Sequence, residues 1–397
     1  MEAVHHNDKT GLNGGLATGG EGMNIKHVFV ACIAAGMAAG ACADEIRIGI
    51  VSGMTGPIAE TAEQIAAVSR GYVDMINARG GINGSRLALV IKDDQYDPRK
   101  TAPLVEEAIE QDKVVALVNS AGTSQTIGVM QSRVLNRHKV PLIGVFSGSG
   151  AIRGPGSEEI FHTRLTYHDE VLKIARLAST LGLKKVAVLH QDDAFGEAIL
   201  KSVAMAEKEY GLEVIAKAAY QPGTKDFAAQ ARQIVKARPQ AIFLMSVPDA
   251  TYQFMKAYDA PHGASQIYAL SFVTPKMLAE TAGEAKARGV GISQVVPNPN
   301  ATSMPLVKDF NAFLSSPWGK GIDASPVTLE GYLNVRLAVE AIRAAGPRPT
   351  GEKVMQSLAA MRNHQIGGFP IDFSAGRRSG SSYLDIAVVG RNAKLMY

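Results

Sequence analysis

From Ile46 onward the chain alternates short apolar runs, rich in β-branched residues, with amphipathic stretches of helical period, and it does so twice over. No other feature narrows the fold as far. Fully buried strands separated by helix-length segments are the pattern of βαβ units, whose parallel sheets are covered on both faces. Strands are predicted at 46–51, 87–92, 114–118 and 142–146, with helices at 60–79, 101–111 and 124–137. The rhythm resumes with helices at 168–181, 195–210, 227–237 and 250–258. Strands at 185–189, 213–219, 241–245 and 267–270 alternate with them. The last quarter differs: helices are predicted at 304–315, 326–345 and 351–361, and late strands at 369–373 and 385–389. A helical segment that follows two βα runs returns to complete the first of them.

Length agrees with two units, since 397 residues exceed the roughly 250–300 that one core supports. A chain 46% hydrophobic and 20% charged is an ordered globular protein, neither disordered nor collagen-like. The net charge of +4 is modest, and no Lys/Arg cluster is interleaved with aromatics. Nucleic acid is therefore not an expected partner.

Both cysteines, Cys32 and Cys42, sit in one N-terminal window. It opens Met23-Asn24-Ile25-Lys26-His27, continues apolar from Val28 to Ala41, and ends Ala41-Cys42-Ala43 before Asp44-Glu45. A short basic start, an apolar stretch of about 7–15 residues and an A-x-A site make a secretory signal peptide, expected here at 23–43. Cys42 also raises a lipoprotein reading, but Ala39 stands where a bulky aliphatic is usual. The Gly-rich residues 1–22 read as a disordered leader or a start-codon artefact. The chain after Ala43 holds no cysteine, so a disulfide framework, a thiolate nucleophile and a Cys-bound metal are all excluded for 44–397.

In open α/β sheets, ligands sit beyond the carboxyl ends of strands where connections diverge. After strand 114–118 comes Asn119-Ser120-Ala121-Gly122-Thr123-Ser124, which opens a helix. Gly122 permits a tight turn, and free N–H groups at a helix start, with the Thr123 and Ser124 hydroxyls, suit a carboxylate. The same residues also serve as plain helix caps, and spacing alone does not separate the two roles. After strand 142–146 comes Ser147-Gly148-Ser149-Gly150, a second small hydroxyl-rich loop. Neither loop is a P-loop or a G-x-G-x-x-G turn, so no nucleotide cofactor is expected. Asp93-Asp94 and Asp192-Asp193 each follow a strand, where they would hold a metal, move a proton or simply make a solvated turn. No histidine spacing supports a metal, and no nucleophile–base pair can be assembled. Tyr96, Phe195, Tyr252 and Phe272 lie shortly after strands and would grip an apolar or planar ligand or pack internally.

Several segments together resemble a known family. Ile48-Gly49-Ile50-Val51-Ser52-Gly53-Met54-Thr55-Gly56-Pro57 is similar to the opening strand and loop of the branched-chain amino acid (Leu/Ile/Val) type periplasmic solute-binding proteins of ABC transporters. Ile76-Asn77-Ala78-Arg79-Gly80-Gly81-Ile82-Asn83-Gly84 is similar to their helix end and turn. Asp93-Asp94 with Tyr96-Asp97-Pro98, Gln191-Asp192-Asp193-Ala194-Phe195-Gly196 and Asp226-Phe227 continue the resemblance. So do Gly122-Thr123-Ser124 and Ser147-Gly148-Ser149 with Arg153, Arg164, Tyr167 and Glu170.

The resemblance implies a type I periplasmic binding fold, with two Rossmann-like lobes joined by three hinge crossovers. Lobe 1 would be 44–164 with 297–370, and lobe 2 would be 165–296 with 371–397. It implies an exported, periplasmic, monomeric receptor without catalysis or cofactor, which passes a small ligand to ABC permease subunits. The ligand carboxylate would lie on Gly122, Thr123 and Ser124 and on Ser147, Gly148 and Ser149, with Phe195 as the second-lobe aromatic; Tyr96, an aromatic shortly after a strand, is a further candidate ligand-binding residue. Family members that bind amino acids place an acid in the second lobe for the ligand ammonium. The matching stretch, Leu270-Ser271-Phe272-Val273-Thr274, has none, and Asp249 is the nearby alternative, or else a helix cap. A carboxylate without an amine is thus as open as an α-amino acid. The other readings are a ligand-sensing regulator on the same fold and a secreted α/β enzyme.

Overall fold

The computed structural model describes residues 45–261, 263–374 and 378–397, with Gly11 and 14–16 as isolated positions. The leader and signal segments expected at 1–22 and 23–43 otherwise lie outside the described residues. No helix among the described residues is long and apolar enough to cross a membrane.

Two sheets carry the fold. The first runs β2-β1-β3-β4-β5, built from β1 (Ile46–Ser52), β2 (Leu87–Asp93), β3 (Ala116–Val118), β4 (Leu142–Ile143) and β5 (Ile160–Phe161). Every pair in it is parallel. The second contains β6 (Lys185–Gln191), β7 (Glu213–Tyr220), β8 (Ala241–Met245), β9 (Gln266–Ala269) and β10 (Gly291–Gln294), all parallel. A hairpin of β11 (His364–Ile366) and β12 (Phe369–Ile371) lies apart from both sheets. The second sheet is closed on one edge by β13 (Asp385–Val389) and β14 (Leu395–Met396), which run antiparallel. The central strands are buried end to end; β8 reads AIFLM with all five positions inside. That pattern is what helices on both faces of a parallel sheet produce.

The late helices Pro305–Leu314 and Pro326–Ala344 join the core of the first sheet, where Phe310, Leu329, Leu333 and Leu337 pack with Ile48, Ile50 and Val118. Nearly every side chain of Pro326–Ala344 is buried, so this helix is apolar around most of its circumference, as a helix wedged inside a domain must be. Ser325 and Thr328 close its start as a capping box. The chain passes between the sheets after β5, again near Val296, and a third time after Phe373. The third passage is later than the boundary expected at 371. Phe373 packs edge-on against Phe161 at 5.1 Å, which keeps Ile371 and Phe373 with the first sheet.

Two expectations fail for local reasons. The helix expected over 124–137 is two, Thr123–Ser132 and Val134–His138, because Arg133 turns left-handed (φ 56°) and ends the first. The stretch before 304 holds helices Pro275–Ala282 and Glu284–Ala287 and the strand β10, none of them foreseen. Pro275 at the first helical position and Gly283 (φ 93°) between the helices are the signals that mark them.

Candidate functional site

Strand order places a divergence point in each sheet: β1 lies between β2 and β3, and β6 between β7 and β8. The loops beyond these strands face one another across a narrow, nearly closed cleft of about 30 Å³. The first sheet contributes Ile58, Thr61, Tyr96, Gly122, Thr123 and Phe146; the second contributes Phe195, Val247, Pro248 and Phe272, with Tyr167 on the passage between them. The lining is mostly aromatic and aliphatic, as small-molecule sites are.

Local chemistry explains how each wall is aimed. Asn119, itself left-handed (φ 59°), donates from Nδ2 to Ser69 Oγ (3.0 Å) and the Gly331 carbonyl (3.2 Å), and accepts from Asn334 Nδ2 (2.8 Å). This pins the start of the 119–124 loop to the helix Pro326–Ala344. The Phe146 N–H donates to the Ser120 carbonyl (2.9 Å), tying the loop after β3 to the loop after β4. Gly122 sits at φ 106°, where an L side chain is strained, and a Cβ there would also come within 2.0 Å of Gln125 Oε1. Tyr96 is left-handed too (φ 59°), in a turn held by Asp94, whose carboxylate accepts from the Tyr96 N–H (2.9 Å) and Thr101 Oγ1 (2.8 Å). That turn lays the Tyr96 ring beside Gly122 in the cleft.

The capping question at 122–124 has a geometric answer. The N-cap is Gly122, without any side-chain cap, so the hydroxyls of Thr123 and Ser124 are not spent on the helix start. Thr123 lines the cleft, and its Oγ1 lies 2.8 Å from the Oγ of Ser147, which is buried and not among the lining residues. Ser124 Oγ instead donates across the lobes to Asp193 Oδ2 at 3.0 Å. Asp193 caps the helix Ala194–Tyr210 through the N–H groups of Phe195 (3.0 Å) and Gly196 (3.2 Å), and that cap presents the Phe195 ring to the cleft. The Phe195 ring meets Tyr167 edge-on at 5.2 Å.

The second hydroxyl loop divides in two. Ser147 faces Thr123, with Tyr167 Oη 3.5 Å away. Gly148 allows Tyr167 to pass close, since a Cβ there would meet Tyr167 Cδ1 at 2.5 Å. Ser149 caps the short 3-10 turn Gly150–Ile152 by accepting from the Ala151 N–H (3.3 Å), and it is not among the cleft residues. Asp249 is likewise outside the lining: Oδ2 pairs with Lys225 Nζ at 2.7 Å, and Oδ1 accepts from Gln253 (3.3 Å). Of the aromatics, Tyr252 hydrogen-bonds Thr274 in the second lobe instead of entering the cleft. The paired acids make turns and caps: Asp93 holds Thr55 Oγ1 (2.6 Å), and Asp192 holds Gln221 (2.7 Å).

Behind the cleft lies a buried charged cluster that spans both lobes. Arg164, fully buried, stacks 4.1 Å over the Phe272 ring, places Nε 3.3 Å from Glu330 Oε1 and donates to Ser271 Oγ. Glu170 accepts from the Ser271 N–H (3.2 Å) and Ser293 Oγ (2.5 Å). Burial pushes the Glu330 carboxyl up to about 7 even with Arg164 beside it. Arg153 donates to the carbonyls of Ser147, Ser149 and Arg164. Sequence reasoning missed Ile58, Thr61, Phe146, Val247 and Pro248 as lining residues; their position one to a few residues past strand or helix boundaries is the one available signal.

Two parallel-sheet lobes with a shared cleft at their facing strand ends have the architecture of a bilobal binding protein. The family model for periplasmic binding proteins matches residues 45–394, and the chain belongs to that family. A curated relative, the Leu/Ile/Val-binding protein homolog 3 of Brucella melitensis, is 25% identical over 341 residues, 85% of this chain and 89% of its own. The crystal structure of a substrate-binding periplasmic protein from Ralstonia solanacearum superposes with a TM-score of 0.84 at 31% identity, covering 88% of this chain and 99% of that one. A branched-chain amino acid ABC transporter structure from Thermus thermophilus with bound valine gives a TM-score of 0.80 over 89% of this chain and 95% of that one; at 20% identity it shows the shared fold.

Proposed function

We propose that this chain is an exported, monomeric receptor that captures a small carboxylate-bearing ligand between its lobes and delivers it to an ABC importer, without catalysis. The observation that carries the reading is Thr123 at the wall of an aromatic cleft lined from both lobes, at the uncapped start of the helix Thr123–Ser132 and with its hydroxyl 2.8 Å from Ser147 Oγ. Free N–H groups and the helix dipole favour an anion there. Contacts from both lobes would couple ligand capture to lobe closure, since a ligand shifts a conformational equilibrium only by its differential affinity for the two states. The names of the relatives support the transport setting. The test is a thermal-shift panel of amino acids, organic acids and neutral solutes, because a ligand that binds the folded state raises Tm by mass action. A carboxylate-bearing hit that binds one to one and is recovered unchanged supports the proposal. A neutral hit refutes the carboxylate, and turnover of any hit refutes the receptor.

A further inference from the structure

The seam between the lobes carries buried charge of both signs. On the helix Pro326–Ala344, Val327 belongs to the same hydrophobic core as Val171, Ile174 and Phe272 of the second lobe. Glu330 follows one turn later on the same face of that helix, so it too looks onto the second lobe. A chain of contacts leaves it and crosses the seam. Glu330 Oε1 lies 3.3 Å from Arg164 Nε, Arg164 donates from Nη2 to Ser271 Oγ, and the Ser271 N–H donates to Glu170 Oε2 at 3.2 Å. Glu330 belongs to the first lobe, Ser271 and Glu170 to the second, and Arg164 stands on the passage between them. All four are more than nine-tenths buried.

The two acids of this chain are not alike. Glu170 Oε2 accepts from the Ser271 N–H and from Ser293 Oγ (2.5 Å), and hydrogen bonds to a carboxylate favour its charged form. Glu330 Oε1 is buried and accepts no hydrogen bond among the described residues. Its guanidinium partner is shared, because Arg164 also holds Ser271 and lies 4.1 Å over the Phe272 ring. The charged groups that face Glu330 are Arg164, which steadies its anion, and Glu170, which repels it. Arg153 and His162 interact with Arg164 instead; burial and the two arginines push His162 well below its ordinary value, so it stays neutral. With one guanidinium between two buried carboxylates, the proton rests on the acid that lacks hydrogen bonds. Burial accordingly raises the Glu330 carboxyl to about 7 against the pull of Arg164, with Glu170 adding to the rise. Separating the lobes would carry Glu170, Ser271 and Phe272 away from Glu330 and admit water, which favours the ordinary ionised carboxylate.

We propose that closure of the lobes takes up a proton at Glu330, so that acid favours the closed, ligand-holding form and rising pH favours opening and release. This rests on the receptor reading above and adds a regulation of the same site. A group that holds its proton more tightly in one form draws the equilibrium toward that form as pH falls. A carboxyl raised from 4.5 to about 7 shifts the closed-to-open ratio by about 50- to 100-fold between pH 8 and pH 5. The test reads the lobes directly and needs no solute. In the full chain carrying Cys32→Ser and Cys42→Ser, spin labels are placed on Glu63→Cys in the first lobe and Lys201→Cys in the second, both exposed positions. The distance between them is measured by double electron–electron resonance from pH 8 to pH 5. The shorter-distance population should grow as pH falls. In Glu330→Gln, which cannot ionise, it should dominate at every pH. In Glu170→Gln the pH response should persist but move to lower pH, since the like charge is gone and Arg164 still faces Glu330. Distances that ignore pH, or that respond equally in Glu330→Gln, would overturn the proposal, and so would an unmoved midpoint in Glu170→Gln. If Glu330→Gln fails to fold, the parent and Glu170→Gln still decide. The solute panel judges the receptor reading separately, so a chain that binds a solute but shows no pH response refutes the proton uptake alone.

Discussion

Replacing Ser124 by Ala isolates one bond that exists only while the lobes face each other. Ser124 belongs to the first lobe and Asp193 to the second, and the 3.0 Å contact joins them across the cleft. A hydrogen bond to a charged partner contributes about 1.5–3 kcal/mol net. The lower end applies, because Asp193 keeps three other donors, Gln191, Phe195 and Gly196, and is not left orphaned. About 1.5 kcal/mol corresponds to roughly tenfold in affinity. If closure accompanies binding, the dissociation constant for the best ligand of the solute panel should rise about tenfold in S124A. The unliganded protein should melt within a degree or two of the parent, since Gly122 and not Ser124 starts the helix and no side-chain cap is lost. Calorimetry and differential scanning on the same preparations measure both. An unchanged dissociation constant, or an equal loss of stability with and without ligand, would refute the idea that this bond reports closure.

Three further expectations follow from the same geometry. Ser149→Ala should leave ligand affinity within about twofold, while costing up to about 1 kcal/mol of stability through loss of the cap on Gly150–Ile152, measured by urea unfolding. Gly148→Ala should lower stability and binding together, since the added Cβ meets the Tyr167 ring at 2.5 Å and its backbone nitrogen at 2.6 Å; an unperturbed melting curve would show that the passage can yield. Glu330 has its carboxyl raised from 4.5 to about 7, so between those values the folded chain keeps a proton that the unfolded chain has lost. Its contribution to stability is present below pH 4.5 and is lost as pH rises toward 7. Glu330→Gln should therefore flatten the fall in stability between pH 5 and pH 8, read from urea midpoints at the two pH values.

The βα rhythm was legible because strands such as 241–245 are apolar at every position and the helices between them are amphipathic. Residues 291–294 escaped because β10 ends on the buried polar pair Ser293 and Gln294, which no apolar-run criterion picks up. The helix Pro275–Ala282 escaped because only Pro275 and Leu278 of it are buried. At the site, the hydroxyl loops could be read from their place after strands. Their division of labour could not. Whether Ser149 faces the cleft or caps a turn depends on a backbone path of a few residues, and Ser124 is partnered by a residue 69 positions away. Asp249 has the right place in the chain for an ammonium partner but is drawn outward by Lys225, a contact that local sequence does not announce. Arg153 acts on the 147–149 loop through peptide carbonyls, which are present at every position and so carry no sequence signal.

The most direct test of the account is a crystal structure of the protein with the tightest acid of the panel bound. The ligand should lie between the lobes, its carboxylate within hydrogen-bonding distance of Thr123 and its body against Tyr96, Tyr167, Phe195 and Phe272. A ligand seated elsewhere, or turned so that its carboxylate points away from the 122–124 and 147–149 loops, would contradict it.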